Sequence, residues 1–189
     1  MTPFRIVTTT KRTPAGYLAL EDLRVEGPDG EQFSRYVVRH PGAAAVVPVE
    51  DDGEHVLLVR QWRVALDRDR LEIPAGKRDV ADEPPEATAL RELEEETGHR
   101  AGRLVKLCEF YNSPGFCDEY SHVYCALDLE ETDGPHAARD EEAAMTIERI
   151  ALSDVDSLLA KGEIVDAKTI IGLLLTRRYL AGEDIAIGR

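Results

Sequence analysis

The sequence predicts a mixed α/β fold, in the α+β sense of helices set around a mostly β core. Three observations predict it. Short runs of apolar and β-branched residues, cut by turn residues, fill the first 73 positions and return near 103–111, 121–128 and 145–150. One strong helical pattern interrupts them at 84–97. Two further helices close the chain. The order strands, helix, strands, helix is that of helices packed on a mixed sheet.

The elements follow in order. Residues 3–10 and 16–27 alternate and read as strands, with Thr13-Pro14-Ala15-Gly16 as the turn between them. Pro28-Asp29-Gly30 turns the chain into a third strand at 32–39. Residues 1–39 thus form an antiparallel β extension ahead of a main domain at 40–189. The apolar run Ala43 to Val49 and the run Val56 to Val59 flank Asp51-Asp52-Gly53 and predict a β-hairpin. Leu71-Glu72-Ile73 is a short strand closed by Pro74-Ala75-Gly76. In the 84–97 helix, Pro84 and Pro85 suit the first turn, Glu83 and Glu86 its positive end, and Gly98 the left-handed stop. Residues 130–144 read as a long polar loop of the kind that often carries function. Ser153 and Asp166 are the expected caps of the last two helices, which stop near Gly162 and Gly182.

Composition narrows the function. With 189 residues, 37 acids against 23 bases and a formal charge of −14, the chain repels nucleic acid polymers and anionic membranes. A small phosphorylated ligand would need metal ions or a local basic patch. Arg60, Arg63, Arg68, Arg70, Lys77 and Arg78 supply such a patch. Three cysteines without a CxxC pair argue against a disulfide framework. With no apolar leader and no apolar run of about 20 residues, a cytoplasmic protein is expected.

The chemistry concentrates in Arg91-Glu92-Leu93-Glu94-Glu95-Glu96-Thr97-Gly98. At about 100° per residue, Glu92, Glu95 and Glu96 share one side of the helix, and Leu90, Leu93 and Thr97 the other. Like charges at these spacings cost about 0.2–0.5 kcal/mol per pair. A hard divalent cation would offset that cost, because carboxylate oxygen is what Mg²⁺ prefers. Arg91 can pair with a neighbouring carboxylate and hold it. Three glutamates alone would read as a solvated face. The glycine loop before the helix, Glu83 at its mouth and Thr97-Gly98 at its end change that balance.

Here the sequence resembles the Nudix family, whose signature is G-x5-E-x7-R-E-U-x-E-E-x-G-U, with U a bulky apolar residue. The match runs Gly76, Glu83, Arg91, Glu92, Leu93, Glu95, Glu96, Gly98, His99. Six residues instead of five separate Gly76 from Glu83, and His99 replaces the last apolar residue. The resemblance implies a Nudix-like α/β/α sandwich with a mixed sheet. It implies a Mg²⁺-dependent enzyme (Mn²⁺ as a substitute) that splits a diphosphate linked to another moiety. Glu92, Glu96 and the Ala75 carbonyl become the implied metal ligands, Glu95 a third carboxylate, Arg91 their orienting partner and Glu83 a support. Gly76 lets the loop approach the helix. In the ADP-ribose pyrophosphatase branch the base is typically a glutamate on a late loop, which points here to Glu142, with Glu141 as the reserve.

Three further features resemble that branch. They are the Leu71-Glu72-Ile73-Pro74-Ala75-Gly76-Lys77 lead-in, the segment Arg60-Gln61-Trp62-Arg63, and Pro114 in Ser113-Pro114-Gly115-Phe116, sixteen residues past Gly98. Guanidinium groups suit bidentate phosphate contacts. The implied substrate-binding set is Arg60, Arg63, Glu72, Pro114 and Glu119. Each feature alone has a plainer reading: surface bases, a core or interface tryptophan, a turn. The branch further implies a homodimer, with strands of the β extension exchanged between subunits, and Phe4, Tyr17, Phe33 and Tyr36 as aromatics that stack on the base or pack across the dimer. The expected reaction is cleavage of ADP-ribose to AMP and ribose 5-phosphate. The alternatives are another nucleoside diphosphate sugar, such as a GDP- or UDP-sugar, and a non-catalytic ADP-ribose sensor. An acidic interaction module would leave the whole signature unexplained.

Overall fold

The computed structural model of the protein describes residues 5–133 and 145–185, with the backbone alone over 12–15. Two compact units emerge. One comprises residues 1–42 with 110–120, and the other 43–109 with 121–189.

The first unit carries strands β1 (Arg5–Ala15), β2 (Leu18–Glu26) and β3 (Gln32–Arg39), paired antiparallel in that order. The β1–β2 turn sits at Gly16 and Tyr17, two residues later than the proline suggests; Gly16 takes the positive φ of 59° that the reversal needs. Thr13 and Pro14 stay in the strand next to a register shift. The 110–120 segment is tied to β3 by Val38 N–H donating to the Phe116 carbonyl at 2.8 Å and by Arg39 pairing with Asp118 at 2.9 Å.

The second unit contains two sheets. Strand β4 (Ala43–Pro48) lies between β7 (Ala75–Lys77) and β9 (Tyr120–Glu131), in the order β7-β4-β9-β8, where β8 is His99–Tyr111. It runs antiparallel to β7 and parallel to β9, so the sheet is mixed. The other sheet is β10-β5-β6, made of Thr146–Ala151, His55–Arg63 and Arg68–Glu72. The expected hairpin of residues 43–59 does not form. β4 and β5 go to different sheets and meet in a single bridge, Val49 to Val56. The reason is burial. Every residue of β4 is buried, a pattern that requires cover on both faces and neighbours on both edges.

Helix α1 (Pro85–Thr97) covers one face. Its Ala89 and Leu93 pack with Ala44 and Val46 of β4 and Tyr124 and Ala126 of β9. Leu90, expected on the apolar side, is instead 38% exposed at the rim of that stripe. Helix α3 (Ala167–Leu180) covers the opposite face. A Cβ on its Gly172 would stand 3.0 Å from Val47 and 3.2 Å from both Ile73 and Val123. Adjacent β4 residues thus serve opposite layers, as the alternation of strand side chains demands. Helix–sheet–helix is the α/β/α sandwich.

Asp166 caps α3 by accepting from the Thr169 N–H. Ser153 does not cap a helix: it lies inside a short 3-10 turn, Leu152–Asp154, that leads into α2 (Val155–Ala160). Among the described residues, no helix is long and apolar enough to cross a membrane.

Candidate active site

The strand register builds the site. Gly76 of β7 pairs with Ala44, a residue of the α1-facing row. A side chain at Gly76 would point at α1, and a Cβ there would fall inside the Glu92 carboxylate. The glycine is therefore the space that Glu92 occupies. One residue earlier, the Ala75 N–H donates to Glu96 Oε2 at 3.1 Å. The loop and helix that the sequence separates by some fifteen residues are locked together by two glutamates.

Those glutamates are buried: Glu92 is 8% exposed and Glu96 6%. Carboxylates are rarely so enclosed without full compensation. Burial, reinforced by the Glu92 charge, pushes the Glu96 carboxyl up to about 8, against the opposing pull of the Ala75 N–H, Arg63 and Lys168. Arg91 donates to Glu92 at 2.7 Å and Glu95 at 2.9 Å, and its Nε lies 3.5 Å from Glu83. Glu83 in turn accepts from the Thr88 hydroxyl at 2.7 Å. One arginine thus gathers three of the signature carboxylates. Glu95 is half-exposed at the rim. His99 opens β8, with its Nδ1 2.8 Å from the Thr97 carbonyl oxygen.

Glu72 and Arg63 lie behind this cluster. Arg63 donates to Glu72 at 2.9 Å and 2.6 Å, and Lys168 of α3 donates to the same carboxylate at 2.6 Å. Burial alone would raise the Glu72 carboxyl, but the two cations hold it down at about 2. Arg60 pairs with Glu148 of β10 and lies 3.6 Å from Glu163. Trp62 is 38% exposed.

Pro114 and Glu119 belong to the first unit. Pro114 is exposed in a turn closed by Phe116 and Cys117 N–H groups donating to the Ser113 carbonyl. Glu119 Oε1 lies 3.9 Å from His40 Nε2. Phe4, Glu141 and Glu142 lie outside the described residues.

A second acid cluster, Glu50, Asp52 and His55, offers donor atoms within 4.8 Å of one another. Arg149 already donates to Glu50 at 2.6 Å and Asp52 at 2.8 Å, and His55 contacts Asp52 at 2.7 Å. Its carboxylates are already engaged by the chain's own groups. Sequence reasoning missed Lys168 and Thr169. Asp166-Ala-Lys-Thr announces a capped helix, and nothing in it says that the lysine turns inward.

A mixed sheet between two helical layers, carrying an acidic helix locked to a glycine loop, is the arrangement that the Nudix resemblance implies. The NUDIX domain family model matches residues 39–173, and the chain belongs to the Nudix family. It is 45% identical over 152 residues to an ADP-ribose pyrophosphatase of Bacillus subtilis, covering 80% of each chain. It is 36% identical over 179 residues to an ADP-ribose pyrophosphatase of Mycobacterium tuberculosis, covering 95% of this chain and 86% of the other. In fold it is similar to a crystal structure of an ADP compounds hydrolase, with a TM-score of 0.81 at 22% identity over 95% of each chain.

Proposed function

We propose that the protein hydrolyses ADP-ribose to AMP and ribose 5-phosphate with Mg²⁺. The observation that carries the reading is the buried Glu92–Glu96 pair against Gly76 and Ala75, in a chain 45% identical to an ADP-ribose pyrophosphatase.

The residues fit a hard cation. Burial, and after it the neighbouring Glu92 charge, drives Glu96 toward its protonated form. Carboxylate oxygens on one helix face are the ligand type Mg²⁺ takes. Glu92, Glu96 and the Ala75 carbonyl would hold the ion, with Glu95 as a further carboxylate. Once bound, Mg²⁺ or Mn²⁺ would neutralise the diphosphate and polarise its P–O bond. The chain's own groups do the rest. Arg91 fixes the glutamate rotamers, and Glu83 fixes Arg91. Arg60 and Arg63 bind phosphate oxygens, with Glu72 holding the Arg63 guanidinium in plane. Pro114 and Glu119 are the substrate contacts this reading assigns to the first unit. Glu142, or Glu141 beside it, takes the proton from the attacking water.

The test is a panel with Mg²⁺: ADP-ribose, ADP-glucose, GDP-mannose, UDP-glucose and dGTP, compared by kcat/KM. ADP-ribose is expected to lead. A guanine or uridine substrate in first place overturns the substrate assignment. Absence of turnover with all five, metal present, overturns the catalytic reading in favour of a sensor. Glu142→Gln is expected to lower kcat by about 10²-fold or more while leaving Mn²⁺ binding intact. If Glu141→Gln is the crippled variant, the base is one residue earlier.

A further inference from the structure

We infer that the first turn of α3, through Lys168 and Thr169, positions the Ala75–Gly76 segment against Glu92 and Glu96 and thereby sets the affinity of the acid pair for divalent cations. The inference rests on the reading of that pair as metal ligands.

The residues from Glu72 to Ala75 are pinned one after another. The Glu72 carboxylate is held by Lys168 Nζ at 2.6 Å. The Ile73 N–H donates to the Thr169 hydroxyl at 3.0 Å, and that hydroxyl donates to Asp166 at 2.6 Å. The Pro74 carbonyl accepts from Val46 N–H at 2.9 Å. The Ala75 N–H donates to Glu96 at 3.1 Å. Two of these four anchors come from successive residues of α3, 96 residues away in sequence. Lys168 is also 3.0 Å from Asp166, so the ammonium is clamped between the helix cap and β6.

This is more than a structural tie, because of where the slack would go. Thr169 is fully buried and Glu72 3% exposed. Without the hydroxyl, the Ile73 N–H has no water to turn to, and the segment shifts to recover a partner. Any shift is passed within two residues to Ala75 and Gly76. At Gly76 the fit to Glu92 leaves no room even for a methyl group. Groups that orient metal ligands from behind typically change affinity by about 10- to 100-fold when removed.

The test is calorimetric titration of the full-length protein with Mn²⁺, without substrate, together with thermal unfolding. Thr169→Val, which changes no charge, is expected to bind Mn²⁺ about tenfold more weakly, while Thr169→Ser, which keeps the hydroxyl, stays within about twofold of wild type. Lys168→Met is also expected to weaken binding. Losing a positive charge near the site would by itself tighten it, so the direction separates positioning from electrostatics. Folded Thr169→Val with wild-type affinity and only a lower Tm overturns the inference, as does tighter binding by Lys168→Met. Should Thr169→Val not fold, Lys168→Met decides by its sign. If wild type shows no Mn²⁺ binding that Glu96→Gln abolishes, the metal-site reading itself fails and takes the inference with it. If wild type binds and both variants match it, only the inference fails.

Discussion

Glu96 and Glu72 are two buried glutamates shifted in opposite directions, and the difference lies in their partners. Glu72 faces Arg63 and Lys168, whereas the nearest charge to matter for Glu96 is the like charge of Glu92. The signs of their contributions to stability differ accordingly. The folded carboxyl of Glu96 is pushed up to about 8, above the ordinary glutamate value of 4.5, so metal-free stability from this group is lost as pH climbs between those values. Glu96→Gln is therefore expected to raise the metal-free melting temperature at pH 8 or above, by free energy on the order of a few kcal/mol, while abolishing Mn²⁺ binding. Melting curves with and without Mn²⁺ check both halves; a destabilised metal-free variant at that pH contradicts the picture. Glu72 sits near 2, below 4.5, so its contribution is complete above about pH 4.5 and fades as pH falls toward 2. Glu72→Gln is expected to cost about 3 kcal/mol at pH 7, measured by urea unfolding, with the gap to wild type closing in acid.

At the scale of the element, two glycines mark close approaches of different kinds. A Cβ on Gly76 meets only the end of the Glu92 side chain, which can swing away. Gly76→Ala is expected to keep its Tm but lose most Mn²⁺ affinity, because the swing removes a ligand. A Cβ on Gly172 meets Val47, Ile73 and Val123 in the core, which cannot move aside cheaply. Gly172→Val is expected to cost about 2–3 kcal/mol and lower Tm by about 5–10 °C. The elements were mostly legible from local pattern. α1 is framed by Pro85 and by Gly98 at φ 69°, and Asp166 caps α3 as its position suggests. What misled was pairing. The Asp-Asp-Gly turn after β4 looks like a hairpin, yet β4 is buried on both faces and its edges go to β7 and β9.

For the whole molecule, the unit of residues 1–42 and 110–120 is the one with exposed apolar side chains and little core. Among its described residues, Leu23 is the buried hydrophobic side chain, while Ile6, Tyr17, Leu20, Tyr36 and Phe116 are well exposed. A three-stranded sheet with so little core is marginal alone. We propose that a second copy of the chain covers it. Sedimentation equilibrium is expected to give twice the 21.0 kDa chain mass, and a monomer at micromolar concentration would refute this. Substituting Tyr36 by Lys is expected to shift that equilibrium toward monomer.

By itself the sequence determined the helix that carries the acids, the glycine loop that faces it and the family to which they belong. Each is written in contiguous spacing, and helical geometry converts spacing into a shared face. Only the tertiary structure decided which glutamates are enclosed, that Gly76 rather than another glycine receives Glu92, and that Lys168 and Thr169 anchor the loop from behind. Those facts depend on sheet register and on contacts across 96 residues of chain. Register is set by the burial of whole layers together, which no local stretch of sequence encodes.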